Sequence, residues 1–137
     1  LMATCAAIVD ADLPNDAAED SFNMLPEFLG EAGDQPIREF TLHQTISLAL
    51  AIRQGDWKYL DHQGSGGNNY DRGPLKQFPL PNAAPDAPGQ LYNLKDDPGE
   101  TKNLYQAHPE IVKRLKASLD GFRESGRSAP PRKTENR

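Results

Sequence analysis

A predicted β-hairpin near the middle of the chain limits its possible folds more than any other feature. Two runs, Leu48–Arg53 and Asp56–Asp61, read as strands, and Gln54-Gly55 between them has the length that closes a hairpin. The expected pairs are Arg53 with Asp56, Ile52 with Trp57, and Leu50 with Tyr59. Opposite residues share a face. The large apolar side chains therefore lie on one face, with Ala51 and Lys58 on the other, and the apolar face can support a core.

Further strands and one helix flank this hairpin. Arg38–His43 and Gln90–Leu94 read as strands. A helix begins at Pro109, which suits the first helical position, and Gly126 stops it. Its apolar stripe consists of Ile111, Val112, Leu115, Leu119 and Phe122. The sequence therefore predicts an α+β fold, a small antiparallel sheet of about four strands with the C-terminal helix packed across it.

Two apolar segments precede the sheet, and one long loop interrupts it. Residues 1–9 have helix-forming composition and are apolar nearly all round, which is typical of a buried helix. A short helix is expected within residues 22–30, with its regular part beginning near Pro26 and Gly30 at its end. Residues 63–89 are rich in Gly, Pro and Asn, and a loop of this length is usually functional or disordered.

Charge and composition argue against several classes of function. The 137 residues carry a net charge of −5 and have no basic stripe with interleaved aromatic residues, so nucleic-acid binding is not expected. No apolar run approaches the roughly 20 residues that a membrane span needs. The single cysteine, Cys5, excludes an internal disulfide and indicates no compartment.

The residues alone indicate no catalytic centre. His43, His62 and His108 lack metal-ligand spacing, and no nucleophile or phosphate-binding motif is present. Gly64–Gly67 could form an anion-binding nest, although glycine runs more often mark flexible loops. Asp96-Asp97 could bind a cation, but the turn that contains them needs no metal. His43 closes a strand before a polar link, where it is either an ordinary surface histidine or part of a cleft.

Several stretches follow the patterns of one protein family. Leu42–Ser47 running into Ala51–Leu60 is similar to a strand, a histidine-containing link and "A-I-R-x-G-x-W-K". Gln90–Leu104 is similar to "L-Y-D-L-x-x-D-P-x-E-x-x-N-L", and His108–Glu110 opens the helix that follows it. Leu1–Thr4 is similar to "D-L-x-P-T" without its aspartate and with Ala3 in place of the proline. Over nearly its whole length, the chain resembles the C-terminal subdomain of the sulfatases, which belong to the alkaline-phosphatase-like α/β enzymes.

The resemblance implies that the catalytic centre lies outside this chain. Sulfatases use a formylglycine made from Cys or Ser in a C/S-x-P/A-x-R motif, beside a calcium ion held by Asp and Asn side chains. Cys5 is followed by Ala6-Ala7-Ile8-Val9 and does not match. The family's nucleophile and calcium ligands all precede the "D-L-x-P-T" segment. We therefore expect no catalytic residue, no metal site and no activity in this chain alone, with calcium and formylglycine in the full-length enzyme.

The resemblance also implies partners, an organisation and a substrate-binding region. The chain is expected to dock on the missing N-terminal catalytic domain and to border the cleft for a sulfated substrate. The candidates for substrate contact are His43, Gln44, Asn68 and Asn69. Residues 1–30 are assigned to helices at the end of the catalytic domain, 31–126 to the C-terminal subdomain, and 127–137 to a disordered tail. A periplasmic or secreted location is expected for the family.

Two other interpretations of the sequence stay open. One is a stand-alone binding module that reuses this subdomain, and the other is a fragment of a related phosphate or phosphonate ester hydrolase. The pair of motifs around Trp57 and Pro98 favours a sulfatase. The start at Leu1, inside a motif and without Met, favours a piece of a longer protein. Separated from that protein, the apolar residues 1–9 would be exposed and would lower solubility.

Overall fold

Three α-helices, one 3-10 helix and four strands make up the regular structure of the described residues. The computed structural model describes residues 1–66, 72–77 and 84–132. The helices are α1 (Met2–Ile8), α2 (Leu25–Leu29) and α3 (Pro109–Ser125), with a 3-10 helix at Gly73–Gln77. The strands are β1 (Phe40–Gln44), β2 (Leu50–Gln54), β3 (Trp57–Leu60) and β4 (Gln90–Asn93). Within these described ranges, no helix is long and apolar enough to cross a membrane.

The chain divides into two compact units. One consists of Leu1–Glu39 together with Gly121–Arg137, and the other of Phe40–Asp120. The domain boundaries predicted after residues 30 and 126 describe how the full-length enzyme would be organised, and they stay predictions.

The unit Phe40–Asp120 contains the predicted antiparallel sheet. Its strands follow one another in the order β1-β2-β3-β4, each antiparallel to its neighbour. The α+β fold and the approximate number of strands are confirmed. The strands differ from the predicted ones at their ends: β1 begins at Phe40 rather than Arg38, and β2 begins at Leu50 rather than Leu48. Leu48 cannot continue a regular strand because its φ is +63°, in the left-handed region.

The predicted pairing of the β2–β3 hairpin is wrong by two residues. Ile52 pairs with Tyr59 and Gln54 with Trp57, so the two-residue loop is Gly55-Asp56 rather than Gln54-Gly55. Gly55 has φ +57°, and a glycine with positive φ is favoured at the first central position of such a loop. The expected ion pair between Arg53 and Asp56 is absent from the strand pairing, because Arg53 lies opposite Lys58. A shift of two residues preserves the faces, so the predicted apolar face is correct.

That apolar face packs against α3 and forms the core of the unit. The most completely buried large side chains are Tyr59, Ile52, Leu91, Leu115 and Leu119. At the edge of this layer, the Trp57 and His108 rings meet edge to face with centroids 5.1 Å apart. Lys116 Nζ of α3 lies 3.8 Å from an Asp61 carboxylate oxygen. The opposite face of the sheet is not covered by α3.

The unit formed by the two ends of the chain contains α1 and α2. Thr4 is the buried residue of α1, whereas Leu1, Met2, Ile8 and Val9 are all more than half exposed. The composition of α1 predicts a buried helix, whereas these four side chains are exposed. Burial of α1 would therefore require a further surface that covers it. Within the stretch assigned to a disordered tail, Arg132 donates hydrogen bonds to the carbonyls of Pro14, Ala17 and Ala18. Residues 133–137 lie outside the described part.

Candidate functional site

A cavity of about 320 Å³ opens on the sheet face that α3 leaves uncovered. Side chains alternate along a strand, so His43, Ala51, Lys58, Leu60 and Tyr92 all face this side. Two loops bound the cavity, one at residues 62–66 and the other at residues 98–100. The cavity thus combines the end of β1 with segments that are far apart in the sequence.

His43 and Gln44, two of the four predicted substrate contacts, line this cavity. Both lie at the end of β1 and are exposed. His43 lies on the cavity's side of the sheet, whereas Gln44 is paired with Leu50 on the other side and borders the cavity at the strand end. Partial burial lowers the pKa of His43 below its ordinary 6.5, and the nearby Lys58 charge lowers it further. The imidazole is therefore mostly uncharged at neutral pH and can donate and accept one hydrogen bond each. The other two candidates, Asn68 and Asn69, lie outside the described residues.

The link from β1 to β2 is tied to the loop at residues 62–66. Thr45 accepts a hydrogen bond from the Ala49 amide at its Oγ1, which closes the link on itself. Ser47 Oγ donates to the Gly66 carbonyl at 2.7 Å. Two exposed apolar residues, Ile46 and Leu48, lie at the tip. The link and the loop are therefore one connected wall of the cavity.

An ion pair crosses the cavity from β3 to the loop after β4. Lys58 Nζ lies 2.6 Å from Glu100 Oε1, and the two side chains are 20% and 31% exposed. Glu100 has φ +54°, a backbone conformation that costs a non-glycine residue about 1–3 kcal/mol. Its amide donates to the Asp97 carbonyl, which holds the turn in this shape. The turn therefore presents the Glu100 carboxylate to Lys58.

The polar residues of the Asp97–Leu104 segment stabilise its backbone. Asp97 accepts hydrogen bonds from the Thr101 and Lys102 amides, and these two bonds lower the pKa of its carboxyl. Asn103 Oδ1 accepts from the Leu91 amide at 3.1 Å, joining the segment to β4. Asp97 thus acts as a turn cap. In the described part of the chain, no three His, Cys, Asp or Glu side chains come together in a way that could hold a metal ion.

The floor of the cavity is a chain of satisfied polar groups. Tyr92 Oη donates to Gln90 Oε1 at 2.7 Å, and Gln90 Nε2 donates to the carbonyls of His62 and Gly64. Burial raises the pKa of Tyr92, so it stays a neutral donor. The anion nest predicted for Gly64–Gly67 cannot be assigned, since Gly67 lies outside the described residues. These bonds instead fix the loop carbonyls to β4.

We expect Gly66→Ala to destabilise the chain by about 2 kcal/mol, because overpacking adds to the cost of its backbone conformation. Gly66 has φ +69°, and an added Cβ would collide with the Thr45 methyl group and lie 2.9 Å from His62 Cε1. Gly64 is the matched control, with φ +64° and open space around its Cβ position. Urea unfolding of both variants measures the difference. Equal losses for Gly64→Ala and Gly66→Ala would show that the contact with Thr45 adds nothing.

Comparison with known proteins gives related sequences and structures for most of the chain. No protein-family model matches it. It is 34% identical over 123 residues to an N-acetylgalactosamine-6-O-sulfatase from Bacteroides thetaiotaomicron, a match that covers 90% of this chain and 22% of the relative. The chain thus spans about a fifth of the length of that relative.

Solved structures also match most of the chain and are likewise much longer than it. One is a 6S-sulf protein, from work on the metabolism of multiple glycosaminoglycans by Bacteroides thetaiotaomicron. It has 30% sequence identity and a TM-score of 0.65, with 89% of this chain and 24% of that one covered. The crystal structures of Ps i-CgsB, alone and in complex with k-i-k-neocarrahexaose, have 21% identity and TM-scores of 0.52, with 87% of this chain and 22% of theirs covered. At this identity, Ps i-CgsB supports the fold alone.

Proposed function

The chain belongs to the sulfatase family and corresponds to the C-terminal portion of a sulfatase, and from this premise we propose that it borders the substrate cleft of a sulfuric ester hydrolase. The observation that supports the proposal is the cavity on the open sheet face, with His43 and Gln44 at its rim. A concave site with a few convergent polar groups is the usual form of a ligand site. The segment would hold and orient substrate there while the rest of the protein performs the reaction.

The catalytic groups of the proposed enzyme do not fit this chain. Cys5 is exposed in α1, and the residues after it lack the C/S-x-P/A-x-R pattern. The described acidic and histidine side chains form no cluster that could hold calcium. We therefore assign calcium and formylglycine to the longer protein and derive no reaction step through them. The chain by itself is expected to have no sulfatase activity.

The names of the relatives suggest the class of substrate. One relative is named for a sulfated N-acetylgalactosamine, and another was solved in work on glycosaminoglycans. We propose a sulfated saccharide for the enzyme that contains this segment. A periplasmic or secreted location stays a prediction.

We expect His43→Ala in the full-length enzyme to lower kcat/KM for a sulfated saccharide about threefold to tenfold, as for one lost hydrogen bond of about 1 kcal/mol. The imidazole lies at the rim of the cavity, where it can bind a substrate hydroxyl or sulfate oxygen. Steady-state kinetics on purified enzyme measures the change.

His108→Ala is the matched control for this experiment. The His108 ring meets Trp57 edge to face at the start of α3, away from the cavity, so its removal should change kcat/KM less than about twofold. A His43 variant as active as the wild type would refute the substrate contact. A full-length protein that splits no sulfate ester would refute the proposed function itself.

A further inference from the structure

We infer that the cavity beside β3 binds an uncharged, hydroxyl-bearing sugar ring of the substrate through the Lys58–Glu100 pair, and that it does not bind the sulfate group. The inference rests on the proposed action on a sulfated saccharide. Nothing in the resemblance assigns a ligand to Lys58 or Glu100. The pair connects β3 to a turn 42 residues further along the chain, so the fold itself forms this part of the cavity.

Among the described residues that line the cavity, the ammonium group of Lys58 and the carboxylate of Glu100 are present in equal number, and Arg53, whose charge acts on His43, is not part of the lining. The ammonium group of Lys58 and the carboxylate of Glu100 are 2.6 Å apart, and their charges cancel at longer range. His43 is mostly uncharged at neutral pH, for the reasons given above. A sulfate placed beside Lys58 would also lie close to the Glu100 carboxylate, and the repulsion would offset the attraction.

Hydroxyl groups fit the same pair well. An ammonium group has three donors, and the Glu100 contact occupies one of those on Lys58. A carboxylate accepts at two oxygens, and Glu100 uses Oε1 for Lys58. Both side chains remain partly exposed, so a neighbouring pair of sugar hydroxyls can donate to Glu100 and accept from Lys58. Hydrogen bonds of this kind, with one charged partner, are the stronger ones in proteins.

The size and the remaining walls of the cavity also suit one sugar ring. Its volume of about 320 Å³ lies at the lower end of the range of about 300–1,000 Å³ that is usual for ligand sites. Ala51 and Leu60 add apolar surface between the polar groups, which can cover the C–H face of a ring. His43 is exposed and also lines the cavity, so it can contact a substituent of that ring.

Two variants of opposite charge test the inference in the full-length enzyme. Glu100→Gln gives the cavity one positive charge, and Lys58→Gln gives it one negative charge. A panel of sulfated mono- and disaccharides, including N-acetylgalactosamine 6-sulfate, supplies the saccharide substrate, and p-nitrophenyl sulfate is the small substrate without a sugar. We expect both variants to raise KM for the saccharide about threefold to tenfold, because each replaces a charge-assisted hydrogen bond to a hydroxyl by a weaker one. The loss of kcat/KM for p-nitrophenyl sulfate should be at least about threefold smaller than the loss for the saccharide, because this substrate has no hydroxyl for the pair to bind.

Whether KM for the saccharide rises or falls in each variant distinguishes a bound sugar ring from a bound anion. If Glu100→Gln lowers KM for the saccharide while Lys58→Gln raises it, the cavity holds an anion and the inference is overturned. Equal losses on both substrates would mean that the pair only supports the fold. Activity on p-nitrophenyl sulfate without activity on any sulfated saccharide would also overturn it. Activity on no sulfate ester at all would contradict the proposed function instead.

Thermal unfolding of each variant identifies any that does not fold, and Glu100→Asp then provides the second test. This variant keeps the charge but withdraws the carboxylate by one methylene group. Inhibition of p-nitrophenyl sulfate hydrolysis by unsulfated N-acetylgalactosamine should weaken about threefold or more in Glu100→Asp, as for one weakened hydrogen bond. Unchanged inhibition, or no inhibition of the wild type, would overturn the inference.

Discussion

Replacing Leu115 by alanine should lower the free energy of unfolding of the unit Phe40–Asp120 by about 3–4 kcal/mol. Leu115 lies on the face of α3 that packs on the sheet, and its side chain is fully buried. The loss combines the transfer free energy of the deleted carbons with the cost of the cavity that they leave. Alanine is the best helix former, so helix propensity does not add to the cost. Urea unfolding of the wild type and the variant measures the change, provided that the two have the same m-value.

Ile46 provides a control of similar size at the tip of the β1–β2 link. Its side chain is 92% exposed, so Ile46→Ala should change stability by less than about 0.5 kcal/mol. A similar loss for both variants would mean that α3 does not cover the core in solution. A smaller loss for Leu115→Ala, below about 1.5 kcal/mol, would mean that the sheet and helix collapse around the deleted side chain.

The apolar face of the sheet could be predicted from the sequence, although the pairing of its residues could not. The alternation of Leu50 and Ile52 on β2, and of Trp57 and Tyr59 on β3, determines which side chains share a face. Any shift by an even number of residues leaves that face unchanged. The shift itself depends on which residue adopts the positive φ in the loop, and Gly55 could have stood at either central position. The pairing thus depends on the backbone conformation at Gly55, and the order of apolar and polar residues does not determine that conformation.

The candidate site was predictable only in part, for a similar reason. His43 and Gln44 could be chosen because they end a strand beside a polar link. The sequence placed Lys58 on the correct face, opposite the core, but gave no reason to pair it with Glu100, since the two are 42 residues apart. Their contact depends on the left-handed conformation of Glu100, which a local pattern does not predict for this residue type. The ion pair therefore emerges only from the tertiary fold.

Replacing Asn103 by alanine should cost about 3 kcal/mol, because it removes the partners of buried backbone groups. Asn103 is 6% exposed, and its side chain joins the start of β4 to the segment that follows Asn103. Its Oδ1 accepts from the amides of Leu91 and Tyr105, and its Nδ2 donates to the Gly89 carbonyl at 3.3 Å. Leu91 is fully buried, so its amide cannot bond to water instead. The asparagine of the "D-P-x-E-x-x-N-L" pattern thus has a structural role that its sequence context does not reveal.

Asn93 is the matched control, because it makes the same kinds of hydrogen bond at an exposed turn. Its Oδ1 accepts from the Lys95 amide at 3.1 Å, and its Nδ2 donates to Asp96 at 3.0 Å. Water can replace both partners there, so Asn93→Ala should cost no more than about 1 kcal/mol. Asn103→Asp keeps the acceptor for the Leu91 amide but loses the donor to the Gly89 carbonyl, and its loss should be comparable because it also buries a charge. If Asn103→Ala costs no more than Asn93→Ala in urea unfolding, then the Leu91 amide finds another partner and the proposed link between β4 and the following segment is wrong.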